Sequence, residues 1–230
     1  MKAAATKPLR HAAMASALAL LAACAGAPTP DWQLDAASSM ARMQQALLAG
    51  NDRVAADEYR RAREQAARTG RPDLAARVEL ARCAVLAASL QFGPCEGFEP
   101  LRVDADADEL AYAAYLQGRL DAARRPRLPA AQQALAAAPA TEAAQLAALQ
   151  ATADPLSRLL GAALWLQDRR ATPAALTQAI DTASAQGWRR PLLAWLGVQQ
   201  RRASDAGDSA EAARVGRRIE LVLRAADAAR

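Results

Sequence analysis

From Leu34 to near the end of the chain, alanine and leucine recur at intervals of three and four residues. That spacing places apolar side chains on one face of an α-helix, and β-branched residues, which favour strands, are sparse. No stretch alternates apolar and polar residues as a half-buried strand does. The sequence therefore predicts an all-α fold. Because aromatic residues make up only 4% of the chain, small side chains must let the helices pack closely.

Glycine, proline and capping residues divide this region into ten predicted helices. Thr172-Pro173 and Asp154-Pro155 each supply an N-cap followed by proline at the first helical position. Gly70, Gly187 and Gly207 stand where C-terminal glycines belong. The predicted helices cover residues 34–49, 52–69, 73–91, 105–117, 129–138, 141–151, 155–169, 173–186, 191–205 and 209–228.

The first 23 residues have the three parts of a bacterial export signal. Lys2, Lys7 and Arg10 form a basic region, and an apolar run then extends from Ala12 to Ala23. The run has only 12 residues, whereas a transmembrane helix needs roughly 20 to cross the hydrocarbon core. We therefore interpret residues 1–23 as a signal peptide.

The last residues of this segment, Leu21-Ala22-Ala23-Cys24, resemble the lipobox of bacterial lipoproteins. In that family the cysteine is acylated and becomes the first mature residue. The resemblance implies that Cys24 carries the lipid anchor, that residues 24–33 form a tether, and that residues 34–230 form the helical domain. Ala25 after the cysteine favours the outer membrane, with the domain facing the periplasm. The alternative is a plain secretory signal with an incidental cysteine.

Removal of the signal peptide changes the charge and the available chemistry. Three of the 29 lysines and arginines precede Cys24, which leaves 26 against 24 acidic residues, or +2. These charges are mixed along the helices, so we expect no nucleic-acid binding. The only histidine, His11, and the only lysines also lie in the signal. A mature chain without them cannot form histidine-based catalytic sites, histidine zinc sites or Walker-type loops. We expect no enzymatic activity, no metal and no cofactor.

Two cysteines remain in the mature chain after Cys24. Cys83 lies in a predicted helix and Cys95 in the turn that follows it. The helix climbs roughly 12 Å beyond Cys83, at about 1.5 Å per residue, and the returning residues can just recover that height. A disulfide is thus geometrically possible, in a compartment that permits one. Two buried free thiols are the alternative.

The region around Gly50 carries a possible internal repeat. Gly50 is followed by Ala55, Tyr59 and Ala62, and this spacing resembles the middle of a tetratricopeptide repeat. A weaker match follows Gly207. The resemblance implies antiparallel helix pairs stacked as a right-handed solenoid, with a groove suited to peptides or partner helices. A generic α-helical bundle is the alternative.

The most site-like local cluster combines two aromatic and two basic residues. Trp188, Arg189 and Arg190 lie at a helix junction, and Trp195 follows about one turn beyond Pro191. Tryptophan and arginine dominate binding hot spots, so we consider these four residues a candidate partner-binding site. In the alternative, the tryptophans pack in the core and the arginines are solvated or pair with acids on the next helix.

These features predict an outer-membrane lipoprotein that acts as a protein-protein interaction adaptor or accessory subunit of an envelope complex. One alternative is a component of outer-membrane protein assembly, because that machinery also contains a tetratricopeptide lipoprotein. Another is a peptidoglycan-binding or peptidoglycan-cleaving protein, since paired carboxylates suffice for glycoside cleavage. No glutamate, however, lies in a recognisable catalytic motif.

Overall fold

A computed structural model of the 230-residue chain describes residues 29–227, which form ten α-helices and two 3₁₀-helices, with no strand among these residues. Residues 1–23, Cys24 and Ala25, on which the signal-peptide and lipid-anchor predictions rest, lie outside the described residues. In chain order, the α-helices are α1 Asp31–Ala49, α2 Asp52–Ala67, α3 Pro72–Ala88, α4 Ala107–Leu116, α5 Ala130–Ala137, α6 Glu142–Ala151, α7 Pro155–Gln167, α8 Pro173–Ala185, α9 Arg189–Asp205 and α10 Ser209–Asp227. The 3₁₀-helices are Glu99–Asp104 and Arg125–Arg127.

The all-α prediction is confirmed, and all ten predicted helices are present with ends that differ by three residues at most. The N-caps predicted at Asp154 and Thr172 are confirmed, because each side chain accepts a hydrogen bond from a backbone N–H of the first turn. Helix α1 begins at Asp31, three residues before its predicted start at Leu34. Helix α3 ends early because Leu90 takes a left-handed conformation, with φ of 59°.

Alanine provides much of the contact surface between the helices. Helix α3 occupies the centre and packs against α1, α2, α4 and α7, while α9 packs against α1, α8 and α10. Seven alanines have no exposed surface, and they are Ala62, Ala76, Ala88, Ala111, Ala163, Ala175 and Ala183. Methyl side chains at these positions allow the close approach that the composition predicts.

Tryptophan side chains fill the largest spaces between these closely packed helices. Trp165 of α7 and Trp195 of α9 are almost completely buried. Each indole N–H donates to a backbone carbonyl of another helix, Trp165 to Leu135 and Trp195 to Ala88, both at 3.2 Å. The two indoles therefore tie α7 to α5 and α9 to α3 with their polar atoms satisfied.

Three ion pairs between consecutive helices follow one pattern. In each pair, a partly exposed arginine on one helix reaches a buried carboxylate on the next. The pairs are Arg42–Glu58 at 3.0 Å, Arg63–Glu79 at 2.9 Å and Arg77–Glu109 at 2.6 Å. They connect α1 to α2, α2 to α3 and α3 to α4. Each of these helices is therefore held against the next by an ion pair as well as by apolar contact.

Among the described helices, none combines the length and the apolar character that crossing a membrane requires.

Candidate partner-binding groove

The structure brings together the four residues of the site-like cluster, and their side chains contact other parts of the protein. Trp188 and Trp195 are buried, so neither indole is open to a partner. Arg189 donates to the carbonyl of Gly50 at 3.3 Å, and Arg190 forms an ion pair with Asp52. The arginines thus bind the turn between α1 and α2, and the cluster holds α9 against the N-terminal helices.

A disulfide joins Cys83 of α3 to Cys95 in the segment that follows that helix. The two Cα atoms are 5.9 Å apart, which lies within the normal range for a bridge. The bridge returns the chain across α3 and positions Phe92, Gly93 and Pro94 between the two openings described below. It therefore shapes the surface next to α3 and α4.

The same segment also covers a buried carboxylate. Glu79 is 1% exposed, its carboxylate accepts a hydrogen bond from the Tyr59 hydroxyl, and Arg63 lies 2.9 Å away. Gly97 passes so close that a Cβ atom there would overlap the Glu79 carboxylate. Only glycine permits this approach without displacing the carboxylate from its partners.

The environment of Tyr59 changes its acid strength. Burial, first, and then the hydrogen bond to Glu79 raise the pKa of Tyr59 from 10.0 to about 12. Burial likewise raises the pKa of Tyr112 and of Tyr115 above the usual tyrosine value. The folded protein therefore favours the neutral form of all three of its tyrosines.

We expect the free energy of unfolding to fall as the pH rises from 10 to about 12. In that window the unfolded chain ionises Tyr59 while the folded protein keeps it neutral, so the stabilisation present below pH 10 is lost. Tyr59→Phe should show a shallower fall, and chemical denaturation at several pH values measures the difference. Parallel pH profiles for the two proteins would contradict the assigned environment.

A broad opening on the described surface lies between α4 and the two 3₁₀-helices. It has a volume of about 1180 Å³. We call it the arginine groove, and its charged and amide lining consists of Glu99, Arg102, Gln117, Arg119, Arg124, Arg127 and Gln167. Four guanidiniums and one carboxylate give this lining a net positive charge, although Asp121 and Asp108 pair with two of the arginines from outside the lining.

One internal carboxylate shows what the arginine groove can recognise. Arg102 binds both oxygens of Glu99, at 2.7 and 2.8 Å. This hydrogen bonding, with further contributions from Gln117 and Arg119, holds the pKa of Glu99 below its usual range. The lining thus supplies the bidentate geometry and positive field that a carboxylate prefers.

An apolar pocket adjoins the arginine groove. It has a volume of about 230 Å³ and includes Leu80, Leu86, Phe92 and the disulfide in its lining. Gly93, Pro94, Leu116 and Gln117 line both openings, so a bound chain can extend from one into the other. Phe92 is 39% exposed at this junction, which leaves an aromatic surface beside the guanidiniums.

Sequence reasoning did not identify the arginines of the groove, because they lie in the breaks between α-helices. Arg119, Arg124, Arg125 and Arg127 fall within nine residues, and this local excess of positive charge was the available signal.

Within residues 29–227, no group of three or more histidine, cysteine, aspartate or glutamate side chains is arranged to hold a metal ion.

Comparison of the chain with protein-family models, with curated proteins and with solved structures gave no match.

Proposed function

We propose that this protein is a lipid-anchored adaptor of the bacterial envelope, and that its arginine groove and apolar pocket bind an acidic segment of a partner protein. The observation that carries the proposal is the continuity of four guanidiniums with an apolar pocket across shared lining residues. Complementarity calls for carboxylates on the partner, next to at least one apolar side chain.

The existing ion pairs in the groove do not prevent such binding. Arg102, Arg124 and Arg127 pair with Glu99, Asp121 and Asp108 respectively, and each partner is well exposed. Exposed pairs contribute only about 0–1 kcal/mol, so an incoming carboxylate can replace one at small cost. Arg119 contacts Gln117 and forms no ion pair within the described part of the chain, which makes it the most available guanidinium.

Anchoring through Cys24 restricts the partners to the envelope. Six residues separate Cys24 from the start of α1 at Asp31, and the seven Cα–Cα steps between them span at most about 25 Å. The helical domain would therefore remain close to the membrane surface. A partner segment reaching the groove would belong to a membrane protein or to a periplasmic protein near the membrane.

The proposed arrangement of the N-terminal helices is tetratricopeptide-like. Helices α1, α2 and α3 pack against one another, as two helices of a repeat and the first of the next repeat do in that family. Ala55 and Ala62, the two small positions of the resemblance, are buried. These contacts support stacked helix pairs in this half of the protein.

Two synthetic peptides test the binding proposal. One alternates glutamate with leucine, and the other has glutamine in place of glutamate. We expect the acidic peptide to bind the full chain with an affinity that falls as salt rises, and Arg119→Glu to weaken binding by about tenfold or more. Fluorescence anisotropy measures both effects.

Arg68→Glu is the matched control for this measurement, because Arg68 is also exposed and also contacts only a glutamine, Gln65. It should leave the affinity for the acidic peptide within a factor of about two. Equal binding of the glutamine peptide, or equal weakening by Arg68→Glu and Arg119→Glu, would contradict the proposal.

A further inference from the structure

A third, smaller opening lies between α4, α7 and the 3₁₀-helix Arg125–Arg127. Its volume is about 90 Å³. We call it the tyrosine cavity, and the polar side chains and the indole in its lining are Tyr115, Arg125, Trp165, Asp168 and Arg170. The chain from Gln117 to Arg127 separates the two openings, because Arg119, Arg124 and Arg127 line the groove whereas Gly118, Leu120 and Arg125 line the cavity.

Two buried polar atoms of this lining have no hydrogen-bond partner. They are the hydroxyl oxygen of Tyr115, whose residue is 5% exposed, and Nε of Arg125. Nearly all buried polar groups in folded proteins are paired, so an unpaired one calls for an explanation. Both groups can donate a hydrogen bond, so an acceptor bound between them would satisfy both.

The second guanidinium of the cavity, that of Arg170, is already engaged. Arg170 donates to the carbonyl of Ala138 at 3.1 Å, stacks over Trp165 and lies 3.6 Å from the carboxylate of Asp168. These contacts hold its guanidinium in place. Asp168 is the single carboxylate in the lining.

The charges of the lining indicate the sign of the missing partner. Two guanidiniums, Arg125 and Arg170, face the one carboxylate of Asp168 in the lining. Arg125 forms no ion pair with any residue from 29 to 227. The lining therefore carries one net positive charge, and the two unpaired donors belong to Arg125 itself and to Tyr115.

We propose that the tyrosine cavity binds a small monocarboxylate, of the size of formate or acetate. One carboxylate oxygen would accept from the Tyr115 hydroxyl and the other from Arg125, and the anion would balance the excess charge. The volume admits a ligand of three or four heavy atoms, because about 30 Å³ corresponds to one water molecule. Water alone would fill the same space without supplying a negative charge beside Arg125.

This site does not depend on the proposed partner-binding function. The two openings use different arginines of one segment, so each can be altered separately. Arg125→Gln removes the charge from the cavity, and Arg124→Gln removes the same charge from the groove. Tyr115→Phe removes the unpaired hydroxyl and keeps the aromatic ring in the core.

Calorimetric titration of the full chain with sodium acetate tests the proposal, with sodium chloride as the reference anion at the same ionic strength. We expect saturable acetate binding that chloride does not reproduce. Arg125→Gln should raise the dissociation constant for acetate by about tenfold or more, and Arg124→Gln should change it by less than about twofold. Tyr115→Phe should raise it by about threefold to tenfold, through loss of one donor.

Three results would overturn the inference. They are the absence of saturable acetate binding, which would mean a cavity filled by water alone; equal binding of chloride; and equal effects of Arg124→Gln and Arg125→Gln. Circular dichroism shows whether Arg125→Gln folds. If it does not, the acetate affinity of Tyr115→Phe is compared with that of the unaltered chain to test the site. An unchanged dissociation constant in Tyr115→Phe would then reject the site.

Discussion

Replacing Arg63 by methionine is expected to lower the free energy of unfolding by about 3 kcal/mol, more than the change Glu79→Gln. The carboxylate of Glu79 is 1% exposed, whereas the side chain of Arg63 is 49% exposed. Without the arginine, a buried negative charge retains the Tyr59 hydroxyl as a donor but loses its ion-pair partner. Arg82, the other nearby guanidinium, lies over the Tyr59 ring at 5.1 Å.

The change Glu79→Gln should cost less, about 1 kcal/mol, because the remaining Arg63 guanidinium can reach water. Urea unfolding of the three proteins measures the order of stability, which we expect to be unaltered chain, Glu79→Gln, then Arg63→Met. Arg60→Met is the matched control, since Arg60 on the same helix pairs with the exposed Asp57 and should change stability by less than about 0.5 kcal/mol. Equal losses of unfolding free energy for Arg63→Met and Glu79→Gln would show that an unpaired buried carboxylate is not the main cause of the destabilisation.

Loss of the disulfide is expected to destabilise the protein by about 2–3 kcal/mol. Cys83 and Cys95 are 12 residues apart, so the bridge closes a short loop and restricts the unfolded chain. It also secures the segment that covers Glu79 and carries Phe92. Reduction should therefore weaken peptide binding at the groove as well as stability.

Thermal and urea unfolding with and without a reductant test this expectation. A chain carrying Cys24→Ser leaves Cys83 and Cys95 as the only thiols, which removes any contribution of the third cysteine. The double variant Cys83→Ser, Cys95→Ser should match the reduced protein and should no longer respond to reductant. Coincident unfolding curves for the oxidised and reduced proteins would contradict a structural role for the bridge.

The helices could be predicted from sequence because their determinants are local. The cap at Thr172, the proline after it and the glycine at 187 act within a few residues of the helix ends. The packing of α3 against α7 and of α1 against α9 depends instead on contacts between residues far apart in the chain. The alanine-rich faces of different helices have similar sequences, so the sequence does not indicate which helices pack together.

The candidate sites illustrate the same distinction. Tryptophan and arginine at positions 188–195 have the composition of a binding site, but that composition also suits a helix junction, and burial distinguishes the two. The arginine groove formed where two 3₁₀-helices and a disulfide-linked segment meet. Neither the 3₁₀-helices nor the disulfide-linked segment has a strong sequence signature. The cluster of arginines near Arg119 was therefore visible in the sequence, but the groove that it lines was not.

Photocrosslinking in intact envelopes tests the central claim most directly. A benzophenone side chain placed at Phe92, on the exposed junction of groove and pocket, would report a bound partner segment. The same group at Leu34, which is 55% exposed on α1, serves as the control position.

We expect a discrete crosslinked protein from position 92 and none from position 34. The product should disappear in Arg119→Glu, which reverses the available groove charge, and should persist in Arg68→Glu. It should also be reduced in Cys24→Ser, because that change blocks the proposed acylation and processing. Crosslinking that is equal at both positions, or that persists in Arg119→Glu, would contradict a groove-binding envelope adaptor.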